Sequence, residues 1–424
     1  MPEEEALFIG VDFGTSGVRV SIIDKREVEQ AHAKTAFASI GSNGRDPHIW
    51  WRAFELTLDN ALGQIDPSRV AGLAIDGTSG TLLAVNPDGV PSGDALMYND
   101  PCTDQDLLKR IAQLAPQTSA AHGASSGLAR ALRLAQDHDA HKILHQADWI
   151  SFRLSGHFVS DENNALKTGY DPVDRCWPAW VADAGLPVSL LPDVLPAGTS
   201  VGPISEDLAT RFSLPISCQI VTGTTDGCAS FLATGALGVG DGVTALGTTL
   251  TLKILSDKPI FAPQYGVYSH RLGDQWLAGG ASNTGGNVLL GFFTPQQIAV
   301  LSAEIAPEVP TDLDYYPLSK AGERFPISDP SLAPKLRPRP ESDVVFLQGL
   351  FDGMSAIEAL GFSRLTELGG PALRSLRSVG GGAQNTVWSR IRQRRLGVPF
   401  LAAKSLEAAF GTALLAKRGA DGIS

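Results

Sequence analysis

Two stretches far apart in the chain share one layout, and that repeat limits the possible fold more than any other feature. In "LFIGVDFGTSGVRVSII" (residues 7–23) apolar residues alternate on both sides of a polar tip. That is the pattern of two strands, Leu7–Val11 and Val18–Ile23, joined by a tight turn. The tip carries Asp12, Gly14, Thr15, Ser16 and Gly17. "DGVTALGTTLTLKIL" (241–255) runs the same way: an alternating strand, a turn through Gly247 and Thr248, and a second alternating strand. A duplicated unit, with a hairpin opening each half and a cleft between the copies, accounts for the repeat.

Strand-like and helix-like segments interleave between and after the hairpins, which defines an α/β fold. In "WWRAFELTLDNALGQI", Trp51, Phe54, Leu58, Leu62 and Ile65 recur at helical spacing. "VAGLAIDG" and "TLLAV" are short apolar strands, and "HKILHQADWISFRLSG" reads as a helix ending at Gly156. "CQIVTGTTDGCASFLATGAL" is strand, polar turn and helix; "LRSVGGGAQNTVWSRIRQRRLG" is strand, triple glycine and helix. "DVVFLQGLFDGMSAIEALG" keeps Leu347, Leu350, Phe351, Met354 and Ile357 on one face of a long buried helix. Glycines cluster in "TGALGVGDG" (234–242), where the pattern restarts, so the expected domains are 1–236 and 237–424. The Pro- and charge-rich stretch 320–343 is a loop inside the second half.

A chain of 424 residues holds two or three domains. Its net charge of −11 argues against nucleic acid or an anionic membrane as a partner. No run approaches the ~18 apolar residues of a spanning helix. The opening "MPEEEALFIG" lacks an export signal, and Cys102, Cys176, Cys218 and Cys228 show no metal-ligand spacing. The expectation is a cytoplasmic protein of enzyme size with reduced thiols.

The composition of the turns points to phosphate. Glycines let backbone N–H groups approach a phosphate closely, and Thr and Ser hydroxyls add donors. Asp12 beside such a site implies Mg²⁺ held through water, since a carboxylate tolerates phosphate only with a cation between them. The same residues are also ordinary turn formers. Three further polar clusters interrupt apolar segments: Asp76, Thr78 and Ser79; Asn99 and Asp100; and Asp226. Open α/β sheets gather ligands at strand ends of this kind. The alternatives are that Asp226 is a helix N-cap and that Asp76 and Ser79 are turn residues.

"GVDFGTSGVRV", "GTTDGCAS", "ALGTTLTL" and "SVGGGAQNTVW", in that order, resemble the FGGY carbohydrate kinases of the actin-like ATPase superfamily, nearly end to end. "LAIDGTSGTLL", "YNDPC", "GVYSH", "GGASNTGG" and "LDYYPL" are most similar to the D-ribulose kinase branch of cyanobacteria and plants. The resemblance implies two ribonuclease-H-like domains with ATP and Mg²⁺ in the cleft, and a last helix (about 406–419) packing on the first domain. It places Asp226 as catalytic base, Asp12 and Thr15 at the metal and transferred phosphoryl group, and Asp76, Thr78, Ser79, Asn99 and Asp100 around a pentulose. Gly14–Gly17 form the first phosphate turn, and Gly247, Thr248 and Gly285 belong to the second. Gly381, Gly382 and Asn385 form the adenosine loop. It further implies a monomer or weak homodimer acting on small molecules alone. The chain departs from many members in lacking an arginine within "MYNDPCTDQ" and a glutamine near "GTSG", both at sugar-recognition positions.

Other signals carry less. "GASSG" (123–127) lacks the preceding strand that a hydrolase elbow requires. His138, His141 and His145 share one face of the expected helix, as an exposed surface more than as a zinc site. "RIRQRRLG" (390–397) reads as a solvated helix C-terminus. No P-loop motif occurs. The rival reading from another class is a nucleotide-gated ATPase switch, which has no need of sugar-sized polar contacts at Asp76, Ser79, Asn99, Asp100 and Asp226.

Overall fold

The structure is a computed structural model that describes residues 6–422; the acidic start of the chain lies outside the described residues. Two compact units emerge. The first runs through Ala233 and also takes His270–Gly273 and the chain from Glu407 onward; the second comprises Thr234–Ser269 and Asp274–Leu406.

The first unit contains strands β1 (Leu7–Phe13), β2 (Gly17–Asp24), β3 (Glu29–Ala36), β4 (Val70–Gly77), β5 (Leu82–Val85), β6 (Lys142–His145), β7 (Val159–Asp161), β8 (Asp193–Leu195), β9 (Ser200–Pro203) and β10 (Gln219–Val221). Its main sheet has the order β3-β2-β1-β4-β10-β9. β1 is antiparallel to β2 and parallel to β4, which is in turn parallel to β10.

Every residue of β1 is buried, because both faces of the sheet are covered. Leu7, Ile9, Val11 and Phe13 pack with Trp50, Phe54 and Leu58 of the helix Pro47–Leu62. That helix is started by Asp46, whose carboxylate accepts from His48 N at 2.9 Å. Phe8 faces the other way, into a cluster with Phe410 and Ala413 of the helix Ala408–Ala420. Gly10 lets that helix lie close: a Cβ there would stand 2.0 Å from the Ala409 carbonyl oxygen. Period-two alternation therefore aims Asp12 toward the C-terminal helix.

The second unit contains β11 (Asp241–Leu246), β12 (Leu250–Ser256), β14 (Gln275–Ser282) and β15 (Ser375–Val379), and β13 (Tyr268–Leu272) begins in it before His270; the strand order is β13-β14-β12-β11-β15. β11 is antiparallel to β12 and parallel to β15. The helix Asp343–Glu367 fills the core beside this sheet through Phe346, Leu350, Phe351 and Met354. By length and mean hydropathy it is apolar enough to cross a membrane, yet 67% of its most apolar window is buried in protein.

Two expectations are corrected. The segment 141–156 is not one helix: Lys142–His145 is a strand paired antiparallel with Leu82–Val85, and only Gln146–Ser155 is helical. Short apolar runs are ambiguous in period, and here a distant partner decides. The three histidines consequently share no helix face; His145 is buried, with Nδ1 2.6 Å from Asp148 and Nε2 3.0 Å from Thr168 Oγ1. The basic run 390–397 is also not simply solvated. Arg392 is fully buried and bidentate on Glu358 at 2.7 Å, while Arg394 pairs with Asp352 at 2.5 Å. Ser126 of "GASSG" caps the helix Gly127–Asp137, accepting from Ala129 N at 3.2 Å.

Candidate active site

Three aspartates of the first unit stand where three adjacent parallel strands end. Asp12 and Asp76 are direct partners in the β1–β4 register. Gly77 then bridges Thr225, the residue before Asp226. Asp12 is 4% exposed and Asp76 is fully buried. Arg19 Nη1 donates to Asp12 Oδ2 at 3.1 Å, and the Thr412 hydroxyl of the C-terminal helix donates to Asp76 Oδ2. Asp76 Oδ1 is buried without a hydrogen-bond partner. Burial pushes the Asp76 carboxyl well above the usual carboxylate range; the neighbouring Asp12 charge adds to this, Thr412 opposes it, and the Asp226 charge contributes further.

Asp226 is the first residue of the helix Asp226–Ala233, so the capping position falls to Thr225, whose Oγ1 accepts from Cys228 N at 3.4 Å. Asp226 Oδ1 accepts from Gly227 N at 2.6 Å. A Cβ on Gly411 would meet the Ala229 carbonyl oxygen at 2.0 Å, so the C-terminal helix seats this one at close range.

Around the carboxylates, Gly14 N donates to Gly17 O at 3.0 Å, leaving Thr15 and Ser16 exposed at the tip. Thr15 Oγ1 lies 3.3 Å from the Tyr98 hydroxyl. The Thr78 hydroxyl is engaged inside the protein, donating to Gln146 Oε1 at 3.0 Å and lying 2.6 Å from Thr81 Oγ1. Ser79 Oγ is buried without a partner. Asn99 is exposed, and Asp100 is bound by Arg45, with Nη2 to Oδ1 at 2.6 Å, and by Met97 N at 2.8 Å. The Arg45 guanidinium holds the Asp100 carboxyl below its ordinary range.

Sequence reasoning missed Arg19, Arg45, Arg130, Gln146 and Thr412. One of them left a signal: Arg130 interrupts the apolar stripe of its helix between Leu128 and Leu134.

In the second unit, Gly247, Thr248, Gly381, Gly382 and Asn385 all line one cavity of about 780 Å³ whose other walls are largely apolar, Leu289, Ile298 and Trp388 among them. Gly285 itself is not in the lining. It sits at φ +143° beneath the Gly247–Thr249 turn, where a Cβ would stand 2.7 Å from Thr248 O, and the adjacent Gly286 lines the cavity. Asn385 serves locally as a cap, accepting from Trp388 N at 2.9 Å and donating to Ser302 Oγ at 2.9 Å. The volume and the apolar walls with a few polar groups are those of a small-molecule site.

Among the described residues no three His, Cys, Asp or Glu side chains form a metal cluster. The donor set still fits magnesium, which keeps several waters and needs only one or two carboxylates beside phosphate oxygens. Asp12 and the unpartnered Oδ1 of Asp76 are the carboxylate oxygens that would be placed to do so.

Both sheets place an antiparallel hairpin beside a parallel strand, a duplicated ribonuclease-H-like arrangement that defines the actin-like ATPase fold. Residues 133–233 match the N-terminal domain, and residues 242–420 the C-terminal domain, of the FGGY family of carbohydrate kinases; the chain belongs to that family. Asp226 lies within the first match, whereas Asp12 and Asp76 precede it.

Relatives include a xylulose kinase of Haemophilus influenzae, 28% identical over 60% of this chain and 57% of its own length. The xylulose kinase of Klebsiella pneumoniae is 25% identical over 64% of this chain and 59% of its own length, so the chain spans less than two thirds of either relative. That of Escherichia coli K12 is 23% identical over 91% and 84%. Among solved structures, a kinase from Brucella ovis described as a xyloylose kinase superposes with a TM-score of 0.86 at 22% identity, covering 99% of this chain and 91% of that one. A xylulose kinase from Rhodospirillum rubrum gives 0.83 at 21%, covering 97% and 90%.

Proposed function

We propose that the chain transfers the γ-phosphoryl group of Mg-ATP to the terminal hydroxyl of a ketopentose, with D-ribulose as acceptor and D-ribulose 5-phosphate as product. The observation that carries the reading is the convergence of Asp12, Asp76 and Asp226 at three neighbouring strand ends, next to a glycine-tipped turn. In this reading Asp226 takes the proton of the attacking hydroxyl as the new O–P bond forms and the bond to the β-phosphate oxygen breaks, releasing ADP. Asp12 and Asp76 would hold a magnesium ion, which would supply neutralisation of charge on the phosphoryl oxygens. The Gly14–Gly17 turn orients the phosphoryl group, and the unpartnered Ser79 hydroxyl and the Asn99–Asp100 loop bind the acceptor. The glycine-lined cavity of the second unit takes the adenosine.

Ribulose rests on the motif resemblance; D-xylulose is the second reading, favoured by the names of the relatives. A coupled ADP-release assay with D-ribulose, D-xylulose, hexuloses and glycerol tests both. We expect pentulose-dependent turnover with D-ribulose giving the highest kcat/KM. Turnover independent of any sugar overturns the kinase reading and favours an ATPase switch.

A further inference from the structure

Arg130 is a buried cation, 4% exposed, whose donors go to backbone carbonyls. Nε donates to Gly80 O at 2.8 Å, Nη1 to Asp100 O at 3.0 Å and Nη2 to Ser125 O at 2.9 Å. The nearby Asp100 carboxylate is already bound by Arg45 and Met97 N. Burial pulls the Arg130 guanidinium below its ordinary range, with only partial opposition from the Asp100 charge. A cation held this way is costly, and an apolar side chain of similar volume would serve packing better. Stability alone does not account for it.

What the three bonds accomplish is geometric. Gly80 ends the turn that carries Ser79, and Asp100 ends the loop that carries Asn99. One rigid guanidinium thus spans two segments proposed to face the acceptor and ties both to the start of the helix Gly127–Asp137. Turn and arginine are fitted closely: Gly80 adopts φ +89°, and a Cβ there would stand 2.9 Å from Arg130 Nη2. Lysine presents its donors from a single nitrogen and cannot reproduce a planar fork reaching three separated carbonyls.

We propose that Arg130 is a positioning residue of the acceptor site, setting the distance between the Ser79 turn and the Asn99–Asp100 loop and thereby the affinity for the five-carbon sugar. This rests on the kinase reading above.

The test compares wild type with Arg130→Lys and Arg130→Met in ADP release, varying sugar and ATP separately. For Arg130→Lys the acceptor KM is expected to rise roughly tenfold or more, with kcat within about threefold and the ATP KM within about twofold of wild type. Added guanidinium ion is expected to recover part of the acceptor KM in Arg130→Ala. An unchanged acceptor KM in Arg130→Lys overturns the proposal. So does a fall in kcat alone, or the loss of folded protein in both the Lys and Met variants, since each leaves a structural role only. If wild type shows no sugar-dependent turnover, the kinase reading fails instead, and hydrogen exchange decides the clamp. Faster exchange at residues 78–82 and 97–101 in Arg130→Lys then supports it, and unchanged exchange overturns it.

Discussion

Strands β1 and β11 hold the same place in their sheets, each with an antiparallel neighbour on one side and a parallel one on the other. Their tips are alike as well: Gly14 N closes on Gly17 O at 3.0 Å, and Gly247 N on Thr249 O at 3.2 Å. Two residues before each glycine the likeness ends. Asp12 in the first strand corresponds to Ala245 in the second, and where Asp12 is the register partner of Asp76, Ala245 is the partner of Val379. One copy of the frame carries carboxylates at its strand ends. The other carries small and apolar residues there and opens into a glycine-lined cavity. On one repeated backbone, side chains alone separate a half with carboxylates at its strand ends, proposed above for metal and proton transfer, from a half with a glycine-lined cavity, proposed above for the nucleoside.

Individual buried acids of the two units differ in how completely they are matched. In the second unit Glu358 is matched: Arg392 meets both its oxygens at 2.7 Å, Thr244 donates at 2.6 Å, and Ser378 accepts from Arg392 at 2.8 Å. In the first unit Asp76 and Glu162 each keep a buried oxygen without a partner. At Asp76, within the proposed site, a bound ligand would complete the unmatched oxygen.

The division is broken most directly at Asp226. Asp226→Ala is expected to lower kcat by about 10²–10⁴-fold while ADP affinity, read by calorimetry, stays within about twofold. A comparable loss of ADP affinity would mean that the first unit also binds the nucleoside. The reciprocal change is Gly382→Ala in the second unit. Its Cβ would stand 2.8 Å from both Leu246 Cβ and Trp388 Cζ3, pushing one of them into the cavity. Overpacking of this kind costs about 1–3 kcal/mol, so ADP affinity is expected to fall roughly tenfold with kcat at saturating ATP little altered. Unaltered ADP affinity would detach the cavity from the nucleotide.

How much of this was legible in the sequence follows from how local each feature is. The two hairpins and the helix Pro47–Leu62 were, because Trp51, Phe54, Leu58 and Leu62 fall on one face whatever lies beneath. The strand Lys142–His145 was not, since four residues become a strand only through Leu82–Val85. The aspartates could be suspected from their places after apolar runs, but the pairing of Asp12 with Asp76 depends on a parallel register that no local pattern encodes. The supporting residues were the least legible. Arg45, Arg130 and Thr412 reach the site from segments distant in sequence, and each acts on a backbone or carboxylate group that the sequence does not place near it.

The smallest effect sharpens the contrast in buried charge. Glu162 is 1% exposed, Oε1 has no partner, and Arg175 Nε remains 3.9 Å from Oε2. Burial pushes its carboxyl up to about 7, against the opposing charges of Arg175 and Arg271 and with a smaller push from Asp161. Asp161 itself is raised to about 6, again chiefly by burial. A carboxyl whose folded value exceeds its unfolded one favours the folded state below the unfolded value and loses that contribution as pH rises through the folded one. For Glu162 the loss runs from about pH 4.5 to somewhat above pH 7, so at pH 8 the first unit holds an ionised carboxylate that its surroundings only partly match. Glu162→Gln keeps the shape and removes the charge. Thermal unfolding at pH 8 is expected to show a Tm raised by about 2–4 °C for each kcal/mol recovered, with little gain at about pH 4, below the unfolded value, where Glu162 is protonated in both states. An equal change at both values would make the difference one of hydrogen bonding rather than charge, and the first unit would then carry its buried acids at no cost in stability.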